Sequence, residues 1–352
     1  MLNNKKRKEY FFIKYDGNYL DMSSLPSYQE VFKSDVTGRP YNLILDNNVC
    51  IHISDSDNSK QCQKKKAKAK NLLEYVRSFK ITVNPTWGLL ERASKPGTLN
   101  LDLNKLKDFE NVFWAKLSRY SNNDLLSSSV DSINSDKAIL YPFYMYLLKI
   151  KLIVSKNDCD ISNAKANLIE LYDFMNDIQM FSAIIWQIAM GIIGGDVSAN
   201  KFIKHGRKGK RDIFKDLWGA AWDVYYLQLS QWFHGLRQIN NSYPQTILVT
   251  DDYDCAMVGS LTKVIGNIEY GNVALDPTLT SFNFPYWKQR DIFLHKLSWE
   301  INNEITKRAI KRNSLSEVER QNELDLIIYN SSYQISQLTQ KLKAFSNKGF
   351  ST

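Results

Sequence analysis

Three short apolar runs interrupt a chain whose remaining pattern is largely helical. Tyr41-Asn42-Leu43-Ile44-Leu45 follows Pro40 and runs into Asp46. Ile81-Thr82-Val83 precedes Asn84-Pro85, and Thr246-Ile247-Leu248-Val249-Thr250 runs into Asp251-Asp252. Runs this short and this continuously apolar predict strands covered on both faces, as in a parallel sheet. An aromatic run, Tyr10 to Tyr15, predicts a further strand, and Asp16-Gly17-Asn18 carries turn chemistry. Between the runs the apolar spacing predicts helices. Asn58–Lys80 presents Leu72, Leu73, Tyr75, Val76 and Phe79 on one side. A helix opening near Pro85 carries Trp87, Leu89, Leu90 and Glu91 and stops at Pro96-Gly97.

Residues 100–200 read as mostly helical, with helices over Leu140–Val154, Ser162–Phe174 and Asp177–Ile193, the last closed by Gly194-Gly195-Asp196. Tyr120 to Asp136 is rich in Ser and Asn and reads as a loop. Asp212–Phe233 predicts a long helix, Pro277 and Pro285 bound a loop-rich stretch, and 287–347 reads as two charged helices. This order predicts an α/β fold, a parallel sheet flanked by helices. Residues 1–39 form an N-terminal extension. The sheet domain spans 40–286 with a helical insertion at about 100–210, and 287–352 form a helical C-terminal extension.

Two apolar stretches are candidates for membrane spans. Ala138–Val154 is broken by Lys149 and Lys151, and Ala183–Gly195 falls short of the roughly 20 residues a bilayer requires. Both read as core helices, so no membrane is expected. The start of the chain is polar and basic, unlike a secretory signal. Cys50, Cys62, Cys159 and Cys255 form no C-x-x-C pair, and only four His are present. The expectation is a cytoplasmic protein with reduced thiols and no His-rich zinc site.

Charge adds a partner class. The 352 residues carry 46 Lys and Arg against 37 Asp and Glu, a formal net charge of +9, which suits an anionic partner such as nucleic acid. Two basic segments concentrate it. Lys64, Lys65, Lys66 and Lys68 lie in one run near a helix start, where cations oppose the macrodipole. Lys204–Arg211 holds Arg207, Lys208, Lys210 and Arg211 in a Gly-containing loop that lacks the full pattern of a P-loop. Both are candidate phosphate contacts; each reads equally as ordinary solvated surface.

The strand ends supply the chemistry. Functional residues in open α/β sheets gather at the carboxyl ends of the strands. Two strands here end in acids, at Asp46 and at Asp251-Asp252. Carboxylates brought together repel one another and raise each other's pKa. A divalent cation relieves that repulsion, and can activate water and neutralise charge on a phosphodiester without any Cys, His or Ser nucleophile.

Leu43-Ile44-Leu45-Asp46-Asn47-Asn48-Val49-Cys50-Ile51-His52 resembles the opening motif of PIN-domain nucleases. Asn84-Pro85-Thr86-Trp87-Gly88-Leu89-Leu90-Glu91 is similar to the family's second motif, and Thr250-Asp251-Asp252-Tyr253-Asp254 to its closing Thr-x-Asp motif. The third acid of the family sits on a helix before the last strand. Asp223 is the best match, with Asp212 and Asp216 on the same predicted helix as alternatives. The resemblance covers residues 40–95 and 215–260.

It implies a PIN-like parallel sheet, Mg²⁺ or Mn²⁺ as cofactor, and endonuclease cleavage of nucleic acid, RNA favoured over DNA. Asp46, Glu91, Asp223 and Asp252 would be the catalytic and metal residues, supported by Asn48, Thr250, Asp251 and Asp254. It admits a toxin-like or defence role, with an inhibitor protein or a homodimer among the partners. The competing expectations are a catalytically inactive nucleic-acid-binding or protein-interaction module on the same fold, and another metal-dependent phosphatase or nuclease. Residue by residue, Asp46 and Asp252 read equally as helix caps, Glu91 as a solvated helix residue, and Asp223 as the partner of a buried cation.

Overall fold

A computed structural model of the chain describes residues 9–16, 19–23, 25–79, 81–95, 97, 99, 101–117, 132–156, 161–196, 199–200, 203, 212–239, 243–261, 264–270, 273–280 and 292–347. The strands are β1 (Phe11–Asp16), β2 (Tyr19–Ser23), β3 (Tyr41–Leu45), β4 (Thr82–Asn84), β5 (Gln245–Thr250), β6 (Val264–Tyr270) and β7 (Val273–Thr280). The helices in the first half are α1 (Tyr28–Val36), α2 (Asn47–Ser54), α3 (Gln63–Phe79), α4 (Thr86–Ala93), α5 (Leu103–Leu117) and α6 (Ser132–Lys156). Those in the second half are α7 (Ala164–Asp177), α8 (Ala183–Ile193), α9 (Ile213–Ile239), α10 (Tyr253–Leu261), α11 (Ile292–Asn313) and α12 (Glu317–Asn347).

The fold is α/β, with helices around a five-stranded sheet of order β2-β1-β5-β3-β4. β3 lies between β4 and β5 and is parallel to both. Leu43, Ile44 and Leu45, like Ile247, Leu248 and Val249, are fully buried, as two-sided burial of short parallel strands requires. The sheet is mixed, which corrects the expectation of a parallel one. β1 pairs antiparallel with β5, Phe11 opposite Thr250, and β2 pairs antiparallel with β1. Residues before position 40 therefore extend the sheet past β5. A second correction concerns Pro277, expected to bound a loop-rich stretch that would run on to Pro285. It lies in β7, opposite Asn267 in the β6–β7 hairpin, beside shifts in register that suit a residue without an N–H. Pro285 lies outside the described residues.

The helix expected over Asp177–Ile193 starts later, at Ala183, and the preceding helix runs on to Asp177. α7 ends at Asp177, Gln179 takes a left-handed conformation with φ 55°, and Ser182 caps α8. α6 has a segment, Asp136–Lys156, long and apolar enough to cross a membrane, but 83% of that window is buried inside the protein. α9, α7 and α12 pack on it. The expected Tyr120–Asp136 loop falls on residues outside the description up to 131, after which α6 begins.

Candidate active site

Asp46 is where the sequence turns from strand to helix. Its backbone is extended, with φ −72° and ψ 169°, and its N–H continues the β5 ladder by donating to Val249 O at 3.1 Å. Its side chain then caps α2: Oδ1 accepts from the Val49 N–H at 2.7 Å. Oδ2 accepts from the Thr250 hydroxyl across the β3–β5 pair. One carboxylate is thus fixed at both oxygens, yet its partners are neutral. Burial pushes its pKa up to about 7. The Thr250 and Val49 hydrogen bonds act against that rise, and the charges of Asp252 and Asp251 add to it.

Thr250 is fully buried and links the two acidic strand ends. While donating to Asp46, its Oγ1 accepts from the Asp252 N–H at 2.9 Å. Asp252 Oδ1 in turn accepts from the N–H groups of Asp254 at 2.7 Å and Cys255 at 3.4 Å, which starts α10.

Glu91 arrives from the other neighbour of β3. β4 ends opposite Ile44, Pro85 opens α4, and the helix folds back over the end of β3. Gly88 makes that approach feasible: a Cβ there would stand 2.7 Å from Cys50 Sγ and 2.8 Å from Leu45 O. One turn on, Glu91 Oε2 accepts from the Tyr226 hydroxyl of α9 at 2.9 Å. Its pKa is pushed up to about 8, by burial first. Hydrogen bonds from Tyr226 and Asn47 oppose the rise, and the charges of Asp46 and Asp252 reinforce it.

Asp223 sits one turn before Tyr226 on α9. The thiol of Cys255 is held well above its usual pKa by burial, then by the charges of Asp223, Asp252, Asp46 and Glu91, so all four expected acids act on one buried sulfur. Asp212 and Asp216 are not among them; Asp212 caps the start of α9 by accepting from Phe214 N–H at 2.9 Å.

Asp251 and Lys68 depart from expectation. Lys68 is 7% exposed and forms an ion pair with Asp251, so it is not part of a solvated phosphate-contacting face. The reason is helical phase: Lys68 lies one turn from Leu72, on the buried side of α3. Lys64 and Lys65 are exposed and Lys66 is half-buried. Lys68 also lies 5.3 Å from the centre of the Tyr10 ring. Buried His52 completes the group: its Nδ1 lies 3.3 Å from Tyr10 Oη and 4.0 Å from Asp251. Burial lowers its pKa to about 4; Asp251 acts against that, and Lys65 and Lys68 reinforce it. Arg207, Lys208, Lys210 and Arg211 lie outside the described residues.

Asn48 is exposed, and it is Asn47, the first residue of α2, that bonds to Glu91. The Asn47 Oδ1 atom is buried without a hydrogen-bond partner. Sequence reasoning missed Asn47, Gly88 and Tyr226. An isolated Gly within a helical pattern was the available signal for Gly88. Tyr226 had none, because its role depends on packing between α4 and α9. Among the described residues, no group of three or more His, Cys, Asp or Glu side chains is gathered closely enough to hold a metal ion by itself.

The chain matches no family model, no curated protein and no solved structure.

Proposed function

We propose that the chain is a divalent-cation-dependent endonuclease that hydrolyses phosphodiester bonds, of RNA in preference to DNA. The supporting observation is that two acids, Asp46 at the cap of α2 and Glu91 on α4, are held by neutral donors, with no Lys or Arg bonded to either among the described residues, while the charges of Asp46, Glu91, Asp223 and Asp252 all act on the Cys255 thiol. Buried acids left in this state favour either protonation or a bound cation. The donor set suits Mg²⁺ or Mn²⁺, which are oxygen-loving and keep several waters, so one or two carboxylates suffice. The orphaned Asn47 oxygen is a further oxygen acceptor for such a hydrated ion.

Asp46 would be the principal ligand, with Glu91, Asp223 and Asp252 holding the ion directly or through water. Such an ion supplies charge neutralisation at a phosphodiester and a more acidic water. The chain's own contribution is positional. Thr250 fixes Asp46 and the start of α10 together, Tyr226 and Asn47 aim Glu91, and Gly88 lets α4 approach.

The looseness of the acids favours a second reading, a nucleic-acid-binding module on the same fold that does not cleave. The test is incubation of the full chain with labelled RNA and DNA in Mn²⁺, Mg²⁺ or EDTA. Metal-dependent cleavage should fall more than about 100-fold in Asp46→Asn, beyond the loss typical of residues that only support metal ligands. Cleavage that survives the substitution would remove this site from the chemistry, and binding without cleavage in any metal would favour the module.

A further inference from the structure

α12 has two apolar faces and uses one of them. Ser331, Leu338 and Leu342 are buried, and Ile328 and Ile335 pack against the core beside them. Their spacing puts them on one side of the helix, which packs along α6. Val318, Leu326, Tyr329 and Tyr333 follow one another at i, i+8, i+11 and i+15, so they line the opposite side. Leu326 is 57% exposed, Tyr329 70% and Tyr333 56%. Single apolar residues on a surface need no partner, but a continuous stripe marks a contact surface.

Charge along the same helix is divided by the sequence. Residues 317–325 hold Glu317, Glu319, Glu323 and Asp325 against Arg320, whereas 326–347 hold Lys341 and Lys343 and no acid. Glu323 faces Arg312 of α11 at 3.7 Å. Glu317, Glu319, Asp325, Lys341 and Lys343 are exposed. The helix macrodipole favours this division, and it leaves an acidic end and a basic end on either side of the tyrosines.

A second copy running antiparallel satisfies both patterns. Centred between Tyr329 and Tyr333, it sets Tyr329 against the second copy's Tyr333, Leu326 against Ser336, and Val318 against Ala344. All of these side chains are exposed, and two-fold symmetry makes each contact twice. No apolar residue of the stripe then meets a charge. Glu319 and Lys341 lie on the same flank of the stripe toward its two ends, so the same arrangement joins acid to lysine twice. A parallel copy would set Glu319 on Glu319 and Lys343 on Lys343. Charge therefore selects the direction, and the second copy supplies the complement that one helix lacks.

We propose that the chain pairs with a second copy of itself through the outer face of α12, the two helices antiparallel. The inference is independent of the proposed activity. With 31 residues the helix is about 46 Å long, and a face about 10 Å wide removes about 900 Å² from water over the two copies. That lies in the range of transient contacts, so the dimer should dissociate at micromolar concentrations.

Sedimentation velocity of the full chain, from low micromolar concentrations upward at low and at high salt, tests this. The wild-type chain should pass from monomer to dimer, and high salt should weaken the dimer by screening the joined ends. Tyr329→Lys/Tyr333→Lys should weaken it at least about 30-fold, the loss expected when one hot-spot residue is removed. Glu319 also bonds Ser316 at the start of α12, so the charge test uses the lysines. Lys341→Glu/Lys343→Glu should weaken the dimer about tenfold at low salt and little at high salt. All four positions are exposed, so both variants should keep the wild-type melting temperature. A wild-type chain that stays monomeric would overturn the second copy as occupant. A dimer untouched by Tyr329→Lys/Tyr333→Lys would overturn the face. A dimer that salt tightens and Lys341→Glu/Lys343→Glu leaves unchanged would overturn the antiparallel arrangement.

Discussion

Asp46 and Asp251 end neighbouring strands of one sheet, yet they meet opposite environments. Asp251 is 22% exposed and is balanced by Lys68, with His52 and Tyr10 behind it. Asp46 is buried and held by a hydroxyl and an N–H, with more carboxylates nearby and no cation bonded to it. The difference teaches that position at a strand end does not make an acid available for chemistry. A fixed countercharge balances one acid within the structure, while neutral donors leave the other with no bonded cation among the described residues. Lys68 decides between the two sides.

The strongest way to sharpen this contrast is pH. Asp46 and Glu91 have folded-state pKa values of about 7 and about 8, above their unfolded values. The native state then binds more protons than the unfolded one between roughly pH 4 and pH 8, so stability falls as pH rises through that window. In EDTA the loss should reach several kcal/mol, since each tenfold difference in acidity between the folded and unfolded chain is worth about 1.4 kcal/mol, and less where the two groups couple. Urea melts at pH 5.5 and 8.5 measure it. Mn²⁺ should restore much of the loss at pH 8.5, and Asp46→Asn should flatten the profile. A profile equally steep in Asp46→Asn would place the titration elsewhere.

The contrast can be broken from the other side. Lys68→Met strands the Asp251 charge and should cost about 3 kcal/mol, the low end for breaking a buried pair because Asp251 keeps some solvent. Lys68→Met/Asp251→Leu should recover most of it in the same denaturant melts. Gly88→Ala should cost about 2 kcal/mol, because the new methyl meets the Leu45 backbone and Cys50. It should also slow metal-dependent cleavage by moving Glu91; a variant that loses stability at full activity would show that α4 need not approach so closely. Tyr226→Phe is the mildest change, about 1 kcal/mol for one hydrogen bond. Its sharper readout is the pH–rate profile. Loss of a hydrogen bond that favours the ionised Glu91 should move the acidic limb to higher pH, and an unmoved limb would take Glu91 out of the rate.

Much of the sheet's centre is legible in the sequence. The runs at 41–45 and 246–250 are short, apolar and end in acids, and they lie side by side in parallel. The antiparallel β1 is legible as a strand but not as a neighbour of β5, because pairing between Phe11 and Thr250 spans most of the chain. The Asp-x-Asn pattern of the resemblance favours Asn48 over Asn47 as the supporting residue. α2 begins at Asn47, and its helical turn leaves Asn48 exposed while Asn47 is partly buried. Lys68 is hidden by the charge of its run, although its spacing to Leu72 and Val76 places it on the buried face of α3.

The Thr250–Asp46 hydrogen bond joins positions 204 apart in sequence. During synthesis, Asp46 leaves the ribosome long before its partner exists. At translation rates of about 5–20 residues per second, that interval is on the order of 10–40 s. Throughout it β3 has no β5 beside it, α10 is unmade and the cluster lacks Asp252. The bonded pair of strand ends is thus a late product of folding, and a nascent chain carries its residues without their contacts.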